Sequence, residues 1–580
     1  MNIMKHINVL FLSAAAFAIA ASVAACSDDE VKADYSGPEA QYVGQKVGNF
    51  SADEWYPGGQ LGTTDNISSN CYSDETPATE SMGLMDEFFQ GEQIFEKQVT
   101  FAQPPYFGLG PASTRRSCID CHPSYGHGQR FDSYTTQYDN GNGYLLVVYH
   151  PNDGANSNDG PYISEVTGMP QTQAVSPFLP PIEEDQIDLQ WKTVTAMESG
   201  LPLQFPDGER YSLIYPELNI PRSAFNVEWE SGEPLAFRLE STIGIIGTGL
   251  LDAIPQDSIK AQYASTAAYF AAQGADVSEY VNPNFWDAGA NDFASGAWYT
   301  MNAGSMADGS AGEAQMIKRF TYALTRASLQ DGPGANAIWN ITNVSRSDRP
   351  YLYTTAAWAN AMASNQDVID QIKADPTSAY YADGTDAGIA EAVRNLLSPS
   401  VNQFDNQWHN FEPEMTDNQF YALMVWHRGL AIPRARNLND PDVQRGKELF
   451  MEMGCASCHR PKWQTTDDNY WTPECIADRP LPRYQNQTIY PYSDMMQHKL
   501  YMINDIHGSW CRTTPLWGRG LSLLNTGAQD RLHDCRARNE VEAIMWHAYS
   551  KKSHAYESAE KFYNLPKEDR DAVVKFLQSI

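Results

Sequence analysis

The sequence predicts a mainly α fold made of two similar units, the first of which carries large mixed α/β insertions. The motif Cys-x-x-Cys-His occurs twice, at residues 118–122 and at residues 455–459. A segment with apolar residues at helical spacing precedes each copy, and the pattern Gly-x-x-Ile/Leu-Phe is common to both segments, at residues 91–95 and 446–450. A second segment of helical pattern closes each unit. We therefore expect one architecture to occur twice in the chain.

Two thiols and an imidazole at this spacing are what the covalent attachment of a c-type haem requires. The predicted attachment sites are the motif cysteines Cys118, Cys121, Cys455 and Cys458. His122 and His459 would be the proximal ligands of the two irons. The alternatives are a zinc site that lacks its other ligands and a thioredoxin-like redox pair. Two copies of the motif favour a di-haem protein.

The motifs predict two cytochrome c-like haem domains, at residues 82–435 and at residues 436–580. The closing helices are expected at residues 416–430 and 566–580, and Asp440 or Asp442 can cap the helix before the second motif.

Large insertions are predicted within the first haem domain. Residues 140–260 contain short strand-like runs between Pro- and Gly-rich loops, and residues 256–400 are more helical and aromatic. We expect the insertions to cover a haem edge or to form a surface for a partner.

The N-terminal residues have the pattern of a bacterial lipoprotein signal. A Lys and a His near the start precede an apolar run, which ends in Val-Ala-Ala-Cys at residues 23–26. Residues 1–26 are therefore predicted to be a signal peptide with Cys26 as the acylated mature N-terminus, and residues 27–81 a tether or loop. A transmembrane anchor is the alternative. The predicted location is the outer membrane or the periplasm, with the acidic residues after Cys26 compatible with export to the cell surface.

The charge of the chain limits its partners. Asp and Glu number 72 against 40 Lys and Arg, which leaves a formal net charge of −32. This charge argues against nucleic acid or an anionic membrane surface as a partner. A small basic redox protein would be attracted by this negative charge. The alternative is that the charge only keeps the protein soluble.

Four further cysteines are available for disulfides in an exported protein. They are Cys71, Cys475, Cys511 and Cys535. Two disulfides could form in three pairings, and the spacing does not choose among them.

Several motifs resemble the bacterial di-haem oxidoreductase family, often described as thiol oxidoreductases. They are Gly-Thr-Gly-Leu-Leu-Asp-Ala-Ile-Pro at 247–255, Ile-Tyr-Pro-Tyr-Ser-Asp at 489–494, Arg-Thr-Thr-Pro-Leu-Trp-Gly at 512–518, Leu-His-Asp at 532–534 and Glu-Ala-Ile-x-x-His at 542–547. That family is related to the di-haem cytochrome c peroxidases and to the di-haem enzyme that matures methylamine dehydrogenase. The chain departs from the family at Tyr322, where a Trp is usual, and at Cys535, where a Gly is usual.

The resemblance implies a division of work between two haems. One iron is held on both sides and stores an electron, whereas the other has a position where hydrogen peroxide binds and its O–O bond is cleaved. The implied function is an exported, peroxidase-type di-haem oxidoreductase that takes electrons from a small cytochrome or cupredoxin. The alternatives are a non-catalytic electron-transfer cytochrome of a surface or periplasmic complex, and long-range oxidation of a protein partner. A calcium ion is common among the peroxidase relatives, but no ligand set can be named here.

For the C-terminal haem, the resemblance implies that His547, five residues after Glu542, is the distal ligand. The alternatives are an ordinary helix histidine and ligation by Met545. His498 is expected either to hydrogen-bond near the haem or to have a packing role.

For the N-terminal haem, His127 is flanked by glycines, which suits a ligand that can leave the iron or an acid–base group. An exposed loop histidine is the alternative, and His150 is a more remote candidate. Arg130 could stabilise charge on the departing oxygen or pair with a haem propionate. Asp534 and Arg536 are expected to be structural. Candidate electron carriers, with core packing as the alternative, are Trp339, Trp510 and Trp517.

Overall fold

Strands contribute more to this chain than a mainly α fold would contain. In the computed structural model, 35% of the chain is helical and 15% is strand, distributed over many small sheets. The prediction of a mainly α fold with two cytochrome c-like domains is therefore wrong. Helical periodicity identified the longer helices, but strands of two or three residues are too short to produce an alternating pattern.

The structure describes residues 39–97, 99, 110–134, 143–151, 163–229, 232, 234–301, 303–310, 315–332, 337–350, 352–399 and 413–580. The predicted signal peptide, the acylated Cys26 and the first part of the predicted tether lie outside these residues. No helix in the described ranges is long and apolar enough to cross a membrane.

The α-helices of the described part are α1 (Gly59–Gly62), α2 (Pro77–Ser81), α3 (Met85–Glu96), α4 (Thr248–Asp252), α5 (Gln256–Ala272), α6 (Ala337–Thr342), α7 (Ala356–Ser364), α8 (Gln366–Lys373), α9 (Asp386–Leu397), α10 (Asp417–Gly429), α11 (Pro441–Met453), α12 (Ser522–Thr526), α13 (Glu540–Trp546), α14 (Tyr556–Tyr563) and α15 (Lys567–Ser579).

The strands are β1 (Thr63–Thr64), β2 (Ala112–Ser113), β3 (Tyr144–Tyr149), β4 (Gln173–Ala174), β5 (Asp188–Thr193), β6 (Ile214–Asn219), β7 (Ala236–Ser241), β8 (Trp286–Asp287), β9 (Asp292–Phe293), β10 (Trp298–Thr300), β11 (Gly304–Met306), β12 (Gln315–Ile317), β13 (Ile432–Pro433), β14 (Trp463–Gln464), β15 (Trp471–Pro473), β16 (Thr488–Ile489), β17 (Gln497–Lys499) and β18 (Trp510–Arg512). They form two-stranded sheets, of which β1–β13 is parallel and the others are antiparallel: β2–β4, β3–β7, β5–β6, β8–β9, β10–β12, β11–β15, β14–β16 and β17–β18.

Two helix pairs account for the repeat in the sequence. Helix α3 packs against α10, and α11 packs against α15. A Cβ atom at Gly91 would collide with the carbonyl oxygen of Ala422, and one at Gly446 would collide with that of Ala572. The shared glycine is therefore needed because it lets each pair of backbones approach closely.

The predicted starts of α10 and α11 are confirmed by their capping contacts. The Thr416 side chain accepts a hydrogen bond from the Gln419 N–H as part of a capping box, and α10 begins at the next residue. The Asp440 carboxylate likewise accepts from the Asp442 N–H, and α11 ends where Gly454 has a φ of +91°.

The insertions build a second core beside the helix pairs. Strands β3 and β7 pair over six residues, and Leu146 and Val148 pack with Trp358 of α7 and Val393 of α9. The chain leaves β7 directly into residues 242–246, which line the first site described below. The insertion therefore supplies one wall of that site.

From Gln41 to Ile580 the chain forms one compact unit. Phe50 and Trp55, which belong to the stretch predicted to be a tether, are buried against Val443 and Phe576 of the second helix pair. The domain boundaries at residues 82, 435 and 436 stay predictions.

Candidate haem sites

Both Cys-x-x-Cys-His motifs form a tight turn. The N–H groups of Cys121 and His122 donate to the Cys118 carbonyl oxygen at 3.1 and 3.2 Å, and the His459 N–H donates to the Cys455 oxygen at 3.0 Å. The turn therefore brings the histidine back beside the first cysteine of its motif. Each of the eight described cysteines is free, so the predicted disulfides are not formed in this structure.

A cavity of about 260 Å³ lies beside the first motif. Its lining is mostly apolar, and it includes His122, His127, Tyr322 and Trp517. Burial lowers the pKa of His122 to about 4, so the imidazole is neutral and able to bind a metal at pH 7. His127, five residues further on, opens onto the same cavity from a buried position.

His127 and Tyr322 face each other in this cavity. The Nδ1 of His127 lies 2.8 Å from the carbonyl oxygen of Gly128, and its Nε2 lies 3.4 Å from the Tyr322 hydroxyl. Burial, and then the charge of Arg519, keep the pKa of His127 well below its usual range. The imidazole is therefore neutral, with Nε2 as the nitrogen that can accept a proton. The side chain is 7% exposed and is not the exposed loop histidine of the alternative interpretation.

Arg130 lies outside this cavity. Its backbone N–H donates to Asp530 at 3.0 Å, its guanidinium lies 3.4 Å from Asp132, and it stacks over Trp191 at 5.7 Å from the ring centre. It is absent from the residues that line the cavity. A catalytic role for Arg130 stays a prediction, and the geometry gives it no support.

The cations that line the cavity are Arg512 and Arg519. Burial lowers the pKa of each to about 10. Within the described ranges neither guanidinium has a carboxylate within ion-pair distance, and their hydrogen bonds go to the oxygens of Thr321 and Asp530 and to a methionine sulfur. An anionic group such as a haem propionate would suit both. Arg519 was not identified from the sequence, because it lies just after the family motif at residues 512–518.

The second site brings together two histidines that are distant in the sequence. The ring centres of His459 and His547 are 6.4 Å apart, with the ring planes at 49°. His459 Nδ1 lies 3.1 Å from the Tyr492 carbonyl oxygen, and His547 Nδ1 lies 2.7 Å from that of Ala543. Each ring thus keeps its Nε2 lone pair free.

The spacing of these rings fits a shared metal ion. An imidazole nitrogen binds a transition metal at about 2 Å, so two rings on opposite sides of one ion have centres about 6 Å apart. Burial lowers the pKa of His459 to about 4 and also lowers that of His547, so both are neutral at pH 7. Met545, the alternative ligand, is fully buried in the apolar core that contains Phe562.

His498 lies next to the second motif. Its Nε2 is 2.7 Å from the Asp494 carboxylate, and the ligand atoms of Cys458, Asp494 and His498 lie within 4.8 Å of one another. Burial opposes protonation here, but the Cys458 sulfur and the Asp494 carboxylate raise the pKa of His498 well above its usual value. The group could hold a metal ion only while Cys458 is not bonded to a haem.

His427 was missed by reasoning from the sequence. It lies on α10, is 4% exposed, and its Nε2 has no hydrogen-bond partner among the described residues. Burial, and then the charge of His122, lower its pKa to about 3. Because α10 is buried along most of its length, the periodicity of apolar residues does not distinguish His427 from its buried neighbours.

A short segment connects the two sites. The Thr513 N–H donates to the Met496 oxygen at 2.9 Å, and the Gln497 side chain donates to the Tyr322 oxygen at 3.0 Å. Met496 and Gln497 precede His498 of the second site, whereas Tyr322 and Trp517 line the cavity of the first. The two sites are thus separated by only a few residues.

The remaining predicted residues are outside both sites. Trp339 packs on Tyr353, and Trp510 lies beside His554. His150 Nδ1 lies 3.2 Å from the Pro234 oxygen.

Asp534 and Arg536 form a fully buried ion pair at 2.6 Å, which suits the structural role expected for them. In the described ranges, no three acidic side chains lie close enough together to hold a cation. The structure therefore offers no carboxylate site for the calcium ion that the resemblance suggested.

The comparison with protein families identifies the C-terminal part of the chain. The family model described as "Di-haem oxidoreductase, putative peroxidase" matches residues 405–580. These residues match the di-haem oxidoreductase family. The predicted resemblance is thereby confirmed, and the family implies haem cofactors. The match contains the second motif, His498, Arg512 and His547. No curated protein matches the chain.

The residues at both sites fit a haem. Each has two free thiols and a neutral imidazole, which are the attachment and ligand groups of a c-type haem. In addition, the first site has the guanidinium groups of Arg512 and Arg519, which have no carboxylate partner among the described residues. The C-terminal site has the imidazole of His547 at a distance from His459 that suits one metal ion between the two rings.

Proposed function

We propose that the protein is an exported di-haem c-type oxidoreductase of peroxidase type, which reduces hydrogen peroxide at its N-terminal site. The contrast between the two sites carries the proposal. At the C-terminal site the imidazoles of His459 and His547 face each other at 6.4 Å, which leaves no room for a substrate between them. At the N-terminal site His127 and Tyr322 face a cavity of about 260 Å³.

The proposed ligands of the haems follow from this geometry. Cys118, Cys121 and His122 would hold the N-terminal haem, and Cys455, Cys458, His459 and His547 the C-terminal one. When bound, the haem irons supply one-electron redox chemistry and a binding position for an oxygen ligand.

The protein side chains supply the proton chemistry. Reduction of hydrogen peroxide takes two electrons and two protons and yields two water molecules. Neutral His127 can accept a peroxide proton at Nε2 and return it to the oxygen that leaves, while the Tyr322 hydroxyl orients that imidazole. Arg512 and Arg519 place positive charge on the cavity wall, where negative charge develops during O–O cleavage.

Electrons would pass from the C-terminal site to the N-terminal site through the segment between them. The contacts of Gln497 with Tyr322 and of Thr513 with Met496 support this route. We further propose a small cytochrome or cupredoxin as the donor, for which the net charge of −32 favours a basic surface. The lipobox pattern at Cys26 supports a lipid anchor on an exported protein.

The optical and electron paramagnetic resonance spectra of the haem-loaded protein, before and after addition of peroxide, test the proposal. We expect one low-spin haem and one high-spin ferric haem, of which the latter reacts with peroxide and consumes the electron stored on the former. Two low-spin haems that are inert to peroxide would instead establish an electron-transfer cytochrome.

A further inference from the structure

The phenol of Tyr125 lies between two carboxylates of helix α3. Its Oη is 2.9 Å from Glu92 Oε1 and 2.6 Å from Glu96 Oε1. Tyr125 follows the first haem motif, and its N–H donates to the His122 carbonyl oxygen at 2.9 Å. Ser124 and Tyr125 have φ values of +46° and +62°, in the left-handed region that such residues rarely adopt. Strained turns of this kind are concentrated at functional sites.

The two contacts of the phenol oxygen differ in length. A phenol has one hydrogen to donate, so both contacts are hydrogen bonds only if one carboxyl group is protonated and donates to the phenol oxygen. The contact with Glu96 is the shorter of the two, so we assign the phenolic hydrogen to it. Tyr125 then donates to Glu96, which is exposed to solvent. The proton of the phenol therefore has an acceptor at 2.6 Å that is in contact with water.

Aromatic rings connect Tyr125 with the first haem motif. The Tyr125 and Trp426 rings are in edge contact with centres 5.3 Å apart, Trp426 lies 4.3 Å from Phe95, and Phe95 lies 6.1 Å from His122. Trp426 is fully buried, and its Nε1 has no hydrogen-bond partner among the described residues. The phenol is thus in continuous contact with the buried site on one side and with a solvent-exposed carboxylate on the other.

We propose that Tyr125 is a redox-active tyrosine, which relays single electrons between the N-terminal haem site and the protein surface while Glu96 takes and returns its proton. The proposal rests on the proposed function, in which hydrogen peroxide is the oxidant at that site. In the forward step Tyr125 loses one electron towards the oxidised site by way of Trp426, and its phenolic proton moves to Glu96. The products are a neutral tyrosyl radical and a protonated carboxyl group.

The return step restores both groups. An electron from an external donor reduces the radical, and the proton returns from Glu96 to the phenolate oxygen. One such cycle delivers one electron, and the electron stored at the C-terminal site is the other of the two that, with two protons from solvent, convert one hydrogen peroxide into two water molecules. The carboxylate is essential to this step, because a phenol that keeps its proton would have to become a radical cation, which is far harder to form.

The test is made on the haem-loaded full chain, frozen at set times after mixing with peroxide and measured by electron paramagnetic resonance. Ring-deuterated tyrosine would identify a tyrosyl radical through the narrowing of its signal. We expect the signal in the wild type, its loss in Tyr125→Phe, and loss of most of it in Glu96→Gln. Tyr421→Phe is the matched control, since the Tyr421 hydroxyl donates to the Pro480 carbonyl oxygen at 2.8 Å and not to a carboxylate. A tyrosyl signal that persists unchanged in Tyr125→Phe would overturn the proposal.

A second oxidant separates this proposal from the peroxidase function. If peroxide leaves the haem spectra of the wild type unchanged, the proposed function fails, and Tyr125 is then oxidised with flash-generated ruthenium(III) tris-bipyridine. We still expect a tyrosyl signal that Tyr125→Phe lacks, and equal signals in the two proteins would reject the relay. Should Tyr125→Phe fail to bind haem, the exposed substitution Glu96→Gln is used for the same comparison, and an undiminished signal in that variant would reject the relay.

Discussion

The imidazoles of His459 and His547 lie 6.4 Å apart, each with its Nδ1 engaged by a backbone carbonyl group. His459 belongs to the second Cys-x-x-Cys-His motif, whereas His547 follows helix α13. The two side chains therefore form one site only in the folded chain, and this site makes a direct prediction about coordination.

Replacing His547 should open one coordination position. We expect His547→Ala to convert the C-terminal haem from low-spin to high-spin, so that the low-spin signal of that haem disappears while both haems remain attached through their cysteines. Optical and electron paramagnetic resonance spectra would show this. His150→Ala is the control, because that histidine lies outside both sites. An unchanged spectrum of His547→Ala would show that the ligand has been assigned wrongly.

Replacing His127 should slow the reaction with peroxide and leave haem binding intact. General acid–base groups contribute about 10²–10⁴-fold to rates, so His127→Ala should slow the reaction by a factor in that range. Stopped-flow mixing with peroxide measures it. Arg130→Ala is the comparison, since this guanidinium faces Asp132 and Asp530 outside the cavity. If Arg130→Ala had the larger effect, Arg130 would replace His127 as the group that handles the peroxide.

Acid should destabilise the protein partly through His554. Its Nδ1 accepts a hydrogen bond from the Lys499 N–H at 3.3 Å, its Nε2 donates to the Glu279 oxygen at 2.8 Å, and a second proton would break the first bond. Burial, then the charge of His498, lower the pKa of His554 from 6.5 to about 3. The unfolded chain therefore binds the extra proton first, and stability is lost as pH falls from about 6.5 towards 3, by at most about 1.4 kcal/mol per pH unit.

Denaturant unfolding at pH 7, 6 and 5 would measure this contribution. We expect His554→Gln to lose less free energy of unfolding between pH 7 and pH 5 than the wild type does, because the variant lacks the titrating group. His150→Gln serves as the control for removal of a histidine elsewhere. Equal slopes for the wild type and His554→Gln would show that His554 does not titrate in this way.

The glycines at the helix crossings should tolerate no side chain. Gly446→Ala places a Cβ against the Ala572 carbonyl oxygen, so we expect a loss of about 1–3 kcal/mol in the free energy of unfolding. Gly91→Ala should do the same at the other crossing, against Ala422. Gly232→Ala has open space around it and should change the stability little. Chemical denaturation compares the three variants, and full stability of Gly446→Ala would contradict the close packing.

Some features of the fold were predictable because they depend on neighbouring residues. The caps at Thr416 and Asp440 and the helices that follow them were predicted, since capping and helical periodicity are local. The short strands were not, because a pair such as β1 and β13 consists of two residues on each side and depends on partners far away in the chain. Because the chain contains many such short strand pairs, it is not mainly α, although its longer helices were predicted.

The sequence by itself determined the features that are written in contiguous residues: two Cys-x-x-Cys-His motifs, a pattern that predicts a signal peptide, and a stretch at residues 405–580 that matches the di-haem oxidoreductase family model. Only the tertiary structure decided which side chains meet. It placed His127 opposite Tyr322, turned Arg130 towards Asp530, and brought Tyr125 between Glu92 and Glu96. The physical reason is that spacing along a helix or turn positions groups within a few residues, whereas packing of the whole chain positions groups that are remote in sequence.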